Sequence, residues 1–80
     1  MAPEIRPDRV IDCRGLLCPM PIVETKRAIA TLAVGQILEV LATDPGSKRD
    51  MPAFAKNTGN ELLEVGEEGQ VFRFLIRKSR

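Results

Sequence analysis

Histidine is absent from this chain of 80 residues, and so are tryptophan and tyrosine. Without histidine the chain cannot form a Cys-His nucleophilic pair, a Ser-His-Asp triad or a zinc site of mixed cysteine and histidine ligands. We therefore expect no bound metal. Any reactive side chain must work without an imidazole.

Aromatic residues and excess charge are also scarce. Aromatics make up 4% of the chain, and 12 basic residues against 11 acidic ones leave a net charge of +1. A nucleic-acid-binding domain typically has a clear basic excess and aromatic side chains that stack on bases. Direct nucleic-acid binding is therefore not expected.

Long apolar runs are missing as well, so no segment reaches membrane-spanning length. The polar start from Met1 to Glu4 lacks the apolar stretch of a secretory signal. We expect a cytoplasmic protein with no membrane association. Two cysteines in that compartment are more typical of reactive or buried thiols than of a structural disulfide.

The length predicts one domain over residues 1–80. A chain of this size buries roughly 60–65% of its extended surface, which leaves room for a modest core and none for a large internal cavity. Hydrophobic content of 44% and charged content of 29% are typical of a globular protein. The whole chain should fold.

In the first half of the chain, Arg9 to Asp12 reads as a short strand that ends before Gly15. A helix should begin near Cys18, with Pro19 at its first helical position, and end at about Thr31 or Leu32. Its apolar stripe is predicted to contain the residues Ile22, Ile29 and Ala33, with Val23 and Ala30 beside it. Ile37 to Ala42 is short and largely apolar, which predicts a buried strand.

In the second half, Ser47 followed by Asp50 resembles a capping box and predicts a helix to about Thr58, with Gly59 after it. Asn60 to Val65 and Gln70 to Arg77 should be strands joined by a hairpin connection at Gly66 to Gly69. The order β-α-β-α-β-β favours an α/β two-layer sandwich (α+β), with a four-stranded mixed sheet and both helices on one face.

Cys18-Pro19-Met20-Pro21 is the most informative segment, because it places a thiol at a strand-to-helix junction. A helix N-terminus stabilises an anion, and cysteines placed there can have a pKa lowered from about 8.5 to roughly 3.5–7.5. Pro19 and Pro21 have no N–H, so only Met20 and Ile22 could donate to a thiolate. The prolines instead predict a rigid backbone that presents the thiol to a partner.

A packed, unreactive cysteine is the alternative for Cys18, since free cysteines are among the most buried residues. Cys13, at a strand end, is expected to be buried. The spacing of Cys13 and Cys18 is not the Cys-x-x-Cys spacing of thioredoxin-type sites or zinc ribbons. A disulfide between them is possible on chain length, but we do not predict one.

Asp44-Pro45-Gly46-Ser47 forms a second loop after a strand, and parallel pairing would place it at the same sheet edge as the Cys18 loop. Asp44 or Asp50 could contribute to a partner surface there, although both are also common turn and cap residues. Basic residues near the two helix starts are mostly explained as a solvated face, but their clustering there also suits an acidic partner or an anionic sulfur species. These are Arg14, Lys26, Arg27, Lys48 and Arg49.

Two groups of residues resemble the TusA/SirA-like sulfur carrier proteins, and the likeness covers nearly the whole chain. They are Asp12, Gly15, Leu16, Cys18, Pro19 and Pro21, and then Thr43 to Ser47 with Asp50. The resemblance implies that Cys18 receives sulfane sulfur as a transient persulfide, with no resident cofactor. Gly15 would permit the turn, and Pro19 and Pro21 would shape the presentation. Cys13 matches no functional position of the family.

The resemblance also implies two kinds of partner. The donor would be a cysteine desulfurase or a rhodanese-like protein, and the acceptor a DsrE-like or similar protein. The relay could serve tRNA thiolation, sulfur oxidation or cofactor biosynthesis. The alternative is a non-catalytic thiol module for protein interaction or redox sensing. Direct RNA binding is a third class, since the family's fold is similar to a domain of a bacterial translation initiation factor, but fold likeness is weak evidence of function.

Overall fold

A computed structural model describes residues 6–80, so the polar start of residues 1–4 lies outside the described residues. The described chain contains four strands and two helices in the predicted order. They are β1 (Arg9–Cys13), α1 (Met20–Ala30), β2 (Ile37–Ala42), α2 (Ser47–Thr58), β3 (Glu61–Glu68) and β4 (Val71–Arg77). Neither described helix is long and apolar enough to cross a membrane.

The four strands form one mixed sheet in the order β1-β2-β4-β3. β1 pairs with β2 in parallel, whereas β4 pairs antiparallel with both β2 and β3. Residues of both helices join the same buried cluster as the inner strands, so the helices cover one face and the predicted two-layer sandwich is confirmed. Because β1 and β2 run in the same direction, the loops that follow them emerge at one edge of the sheet.

The core lies between the helices and the two central strands. Leu38, Val40 and Ala42 of β2 are fully buried, and the residues between them are half-buried, which is the period of two expected for a strand with one covered face. Phe74 and Ile76 of β4 point to the same face and are also fully buried.

Helix α1 begins later than predicted, and its buried stripe differs. A turn closed by the Met20 N–H, which donates to the Leu17 carbonyl at 2.9 Å, precedes it, so Pro19 is the N-cap residue rather than the first helical one. Ala33 lies beyond the helix end and is exposed, so its assignment to the stripe was wrong. The buried positions are Pro21, Thr25, Ala28 and Ile29. Thr25 can be buried because its hydroxyl donates to the Pro21 carbonyl at 2.7 Å.

The predicted capping box at the start of α2 is wrong. Gly46 is the N-cap residue and no side chain caps the helix. Ser47 is the first helical residue, and its buried hydroxyl has no hydrogen-bond partner among residues 6–80. The Asp50 carboxylate contacts Cys18 instead. At the other end of α2, Gly59 adopts a φ of 75°, as expected for a left-handed helix terminator.

The hairpin connection is shorter than predicted. Gly66 pairs with Arg73 and Glu67 with Phe72, so β3 continues through the segment expected to be the loop. The turn consists of Gly69 and Gln70, and Gly69 has a φ of 62°. A two-residue turn with a positive φ matches the right-handed twist of the strands that it joins.

Phe74 provides a test of the core, because it is fully buried in a central strand. Replacing it with alanine should lower the free energy of unfolding by about 3–5 kcal/mol, through lost burial and the cavity left behind. Val34→Ala is the control, since Val34 lies in a loop and is largely exposed. Urea unfolding followed by circular dichroism measures both. Equal losses in the two variants would contradict this view of the core.

Candidate functional site

The loops after β1 and β2 meet at one edge of the sheet and are hydrogen-bonded to each other. Gly15, with a φ of 81°, donates its N–H to the Thr43 hydroxyl at 2.9 Å. The Cys18 N–H donates to Asp44 Oδ2 at 3.1 Å. The parallel pairing therefore brings the Cys18 loop and the Asp44 loop together, as the sequence predicted, and the two hydrogen bonds hold the backbone between Gly15 and Cys18.

The Cys18 thiol is exposed and contacts a carboxylate. Its Sγ lies 3.4 Å from Asp50 Oδ2, in a geometry that lets the S–H donate to that oxygen. The other carboxylate oxygen of Asp50 lies 4.0 Å from the Arg49 Nε. Asp50 thus places one oxygen against the thiol and the other beside a guanidinium group.

Glycine at position 46 leaves room for this arrangement. A methyl group on Gly46 would lie 3.2 Å from Asp44 Oδ2 and 3.7 Å from Asp50 Oδ2. The first distance is tighter than an ordinary contact, so a side chain here would push against the Asp44 carboxylate. The two acidic side chains that contact Cys18 thus both pack over the same small residue.

The helix N-terminus does not offer free donors to the thiol. The Met20 N–H donates to the Leu17 carbonyl, and the Ile22 N–H donates to the Pro19 carbonyl at 3.1 Å. These are the two donors that the sequence left available after the prolines. Cys18 itself precedes the N-cap residue and lies outside the helix.

The electrostatic surroundings of Cys18 are acidic. The hydrogen bond to Asp50 raises the pKa of the Cys18 thiol, and partial desolvation by the neighbouring atoms together with the charges of Asp50 and Asp44 raises it further. Arg49 has a smaller, opposite effect. The predicted lowering of this pKa is therefore wrong, because the carboxylates outweigh a helix terminus whose first N–H groups are already bonded.

Several basic residues assigned to a partner surface pair with acidic neighbours. Arg14 binds Asp12 at 2.8 Å, and this contact lowers the pKa of Asp12 to about 2. Lys48 lies 3.2 Å from Glu67 and above the ring of Phe72. Lys26 and Arg49 are exposed. Of these side chains only Arg49 is among the causes that act on the pKa of the thiol, and it lowers that pKa.

Cys13 and Cys18 are separate, free thiols in different environments. Cys13 is only 1% exposed and belongs to the core, and this burial raises its pKa. Of the two prolines of the segment, Pro21 is buried and Pro19 is exposed. The peptide bond between Cys18 and Pro19 is cis.

The sequence did not single out the apolar residues that flank the thiol. Leu17 is 73% exposed and Met20 is 41% exposed, whereas Leu16 packs against the core. The sequence signal that could have identified Leu17 was the pair of leucines after Gly15, since one of the two enters the core and leaves the other exposed. The contact of Asp50 with the thiol was also missed, since no local pattern links positions so far apart in the chain.

Comparisons with known proteins agree with one another. Residues 9–78 match the family described as Sulfurtransferase TusA. The chain is 54% identical to the sulfur carrier protein TusA of Allochromatium vinosum, over 90% of this chain and 95% of that protein. It is 41% identical to the sulfur carrier protein TusA of Pseudomonas putida, over 94% of each.

A solved structure supports the fold. The SirA-like protein from Desulfitobacterium hafniense superimposes with a TM-score of 0.79 at 26% sequence identity, covering 90% of this chain and 99% of that one. The relatives and the solved structure therefore span almost the same length as the described residues.

The raised pKa of Cys18 predicts slow reaction with small electrophiles. Only the thiolate is nucleophilic, so the rate of alkylation by iodoacetamide should reach half its maximum at a higher pH than for a cysteine in an unstructured peptide. Mass spectrometry across a pH series measures this. Cys13 serves as the internal control and should react only in unfolded protein. A midpoint below that of the peptide would contradict the assigned role of the carboxylates.

Proposed function

The chain belongs to the sulfurtransferase TusA family, and on that premise we propose that it accepts sulfane sulfur as a persulfide on Cys18 and passes it to an acceptor protein. The observation that carries this proposal is the exposed Cys18 thiol, held on an anchored loop at the edge of the sheet. Relatives named sulfur carrier proteins support the same role.

The proposed chemistry is an exchange between thiols and persulfides. In loading, the Cys18 sulfur attacks the terminal sulfur of the donor persulfide, a new S–S bond forms, and the donor's S–S bond breaks. The donor leaves as a thiol, and the proton that the donor gains balances the proton that Cys18 loses. Unloading repeats the exchange with an acceptor thiol, so no external oxidant or reductant is needed.

The rigidity of the loop suits repeated handover. The Cys18 N–H is bound by Asp44, the Gly15 N–H by Thr43, and Pro19 and Pro21 restrict the backbone around the thiol. A segment that is already ordered loses little conformational entropy when a partner docks over it. These contacts therefore favour transfer between proteins over transfer to a freely diffusing substrate.

Leu17 and Met20 provide an apolar contact surface beside the thiol. Both are exposed, and they lie on either side of the Cys18-Pro19 pair. Apolar side chains that become buried near the centre of an interface contribute much of its binding energy. We assign these two residues to the docking surface for donor and acceptor proteins.

The partners are proposed by class. The donor is a cysteine desulfurase or rhodanese-like protein and the acceptor a DsrE-like or similar protein, in a cytoplasmic relay that needs no cofactor other than the persulfide on Cys18. Redox sensing is the weaker alternative. Sensor cysteines are accessible thiols of low pKa, whereas the pKa of Cys18 is raised.

Intact-mass measurement tests the carrier proposal directly. Wild-type protein incubated with a persulfidated cysteine desulfurase, or with thiosulfate and a rhodanese, should gain the mass of one sulfur atom. The Cys18→Ser variant should gain none, and added dithiothreitol should remove the sulfur from the wild type. Equal gain in both proteins would show that Cys18 is not the carrier residue.

The docking surface has its own test. Leu17→Asp should slow sulfur uptake from a donor protein about tenfold or more, because it places a charge at the centre of the contact. Iodoacetamide should still alkylate Cys18 in this variant. Val34→Asp is the matched control, since Val34 is 67% exposed in the loop that leads into β2, at the opposite end of that strand from the thiol. Equal sulfur uptake by the two variants would show that Leu17 is not part of the docking surface.

A further inference from the structure

We propose that Asp50 transfers the proton of Cys18 during sulfur exchange, which makes it a catalytic residue of the reaction proposed above and rests on that function. It takes the thiol proton as the Cys18 sulfur attacks and returns a proton when a thiol leaves. The sequence indicated a cap residue or a partner contact at this position.

The geometry assigns the role to Asp50 rather than to Asp44. Asp50 Oδ2 lies 3.4 Å from Sγ, in contact with the reacting atom. Asp44 Oδ2 accepts the Cys18 backbone N–H and holds the loop. The Asp50 side chain is 31% exposed, so it touches the thiol on one side and can exchange protons with water on the other.

A proton acceptor is needed because the resting group is a thiol. The nucleophile in the exchange is the thiolate, and the hydrogen bond to Asp50 with the nearby acidic charges disfavours that form at rest. Asp44 and Asp50 face Cys18 from the loop after β2 and from α2, and Arg49 of α2 opposes them. Deprotonation must therefore accompany attack, and a carboxylate already hydrogen-bonded to the S–H is positioned to accept the proton.

No proton is gained or lost overall in one loading step. The Cys18 S–H gives its proton to Asp50, Sγ forms a bond to the terminal sulfur of the donor, and the donor's S–S bond breaks. The electron pair of that bond goes to the leaving sulfur, which takes the proton from Asp50. Asp50 returns to its carboxylate form, and neither sulfur oxidation nor an added reagent is required.

Unloading is the same exchange in reverse, so the same residue serves it. The acceptor thiol gives up a proton as it attacks the terminal sulfur of the Cys18 persulfide, and Cys18 leaves and must be protonated. A thiol of raised pKa is a poor leaving group unless a proton reaches it. Asp50 is the side chain in contact with that sulfur.

Two reactions measured on the same variant test the proposal. Iodoacetamide alkylation reports the amount of thiolate, whereas sulfur uptake from a persulfidated cysteine desulfurase also requires a proton for the leaving thiol. Asp50→Asn should raise the alkylation rate at neutral pH, since a carboxylate that disfavours the thiolate is gone. The same variant should take up sulfur about tenfold more slowly or worse, because general acid-base transfer contributes roughly 10²–10⁴ in rate.

Glu61→Gln is the control for a lost carboxylate charge. Glu61 pairs with Arg77 at the end of the sheet opposite the Cys18 loop. Neither the alkylation rate nor the sulfur uptake of this variant should differ from that of the wild type. A solvent deuterium isotope effect on uptake should be present in the wild type and reduced in Asp50→Asn alone, and thermal unfolding checks that the variants are folded.

The outcomes separate this proposal from the carrier function. If Asp50→Asn takes up sulfur at least as fast as the wild type, Asp50 does not transfer the proton, and the carrier role of Cys18 stands. If the wild type is alkylated at Cys18 but takes no sulfur from the persulfidated desulfurase, both the carrier function and the role of Asp50 are wrong.

Discussion

The parallel pairing of β1 with β2 is the constraint on which the rest of the site depends. Its last pair joins Cys13 to Ala42, both buried, so both strands end at the same level of the sheet. The loops that follow must then lie side by side, which brings Cys18 to Asp44 and Asp50. Had β2 run in the opposite direction, the acidic loop would lie at the far end of the sheet.

The ionisation of the Cys18 thiol is set by side chains from another element and not by the helix that follows it. The first N–H groups of α1 are used by the Leu17 and Pro19 carbonyls, whereas α2 places a carboxylate against the sulfur. The resting state is therefore a protonated thiol on a rigid loop. Such a thiol is protected from indiscriminate electrophiles, which is consistent with the proposed handover to a partner that docks over Leu17 and Met20.

Much of the fold followed from local patterns. The order of the six elements, the two-layer arrangement and the helix end at Gly59 were predicted, since glycines and apolar periodicity indicate them directly. The errors lie at boundaries. Pairing with β4 places Gly66 in β3 instead of in a turn. A turn before Met20 moves the start of α1 past Pro19. The pairing of Gly66 with Arg73 across the hairpin decided the first of these, and a glycine by itself does not indicate whether it lies in the turn or in the strand.

By itself the sequence determined which residue could be reactive. The lack of histidine excluded a base of that kind, the Cys-Pro-Met-Pro segment placed one thiol at a junction, and the family resemblance pointed to sulfur. Tertiary structure alone decided the ionisation of that thiol. Asp50 is far from Cys18 in the chain and contacts its sulfur only because two strands run in parallel, and a charge in contact outweighs a helix terminus whose donors are already used.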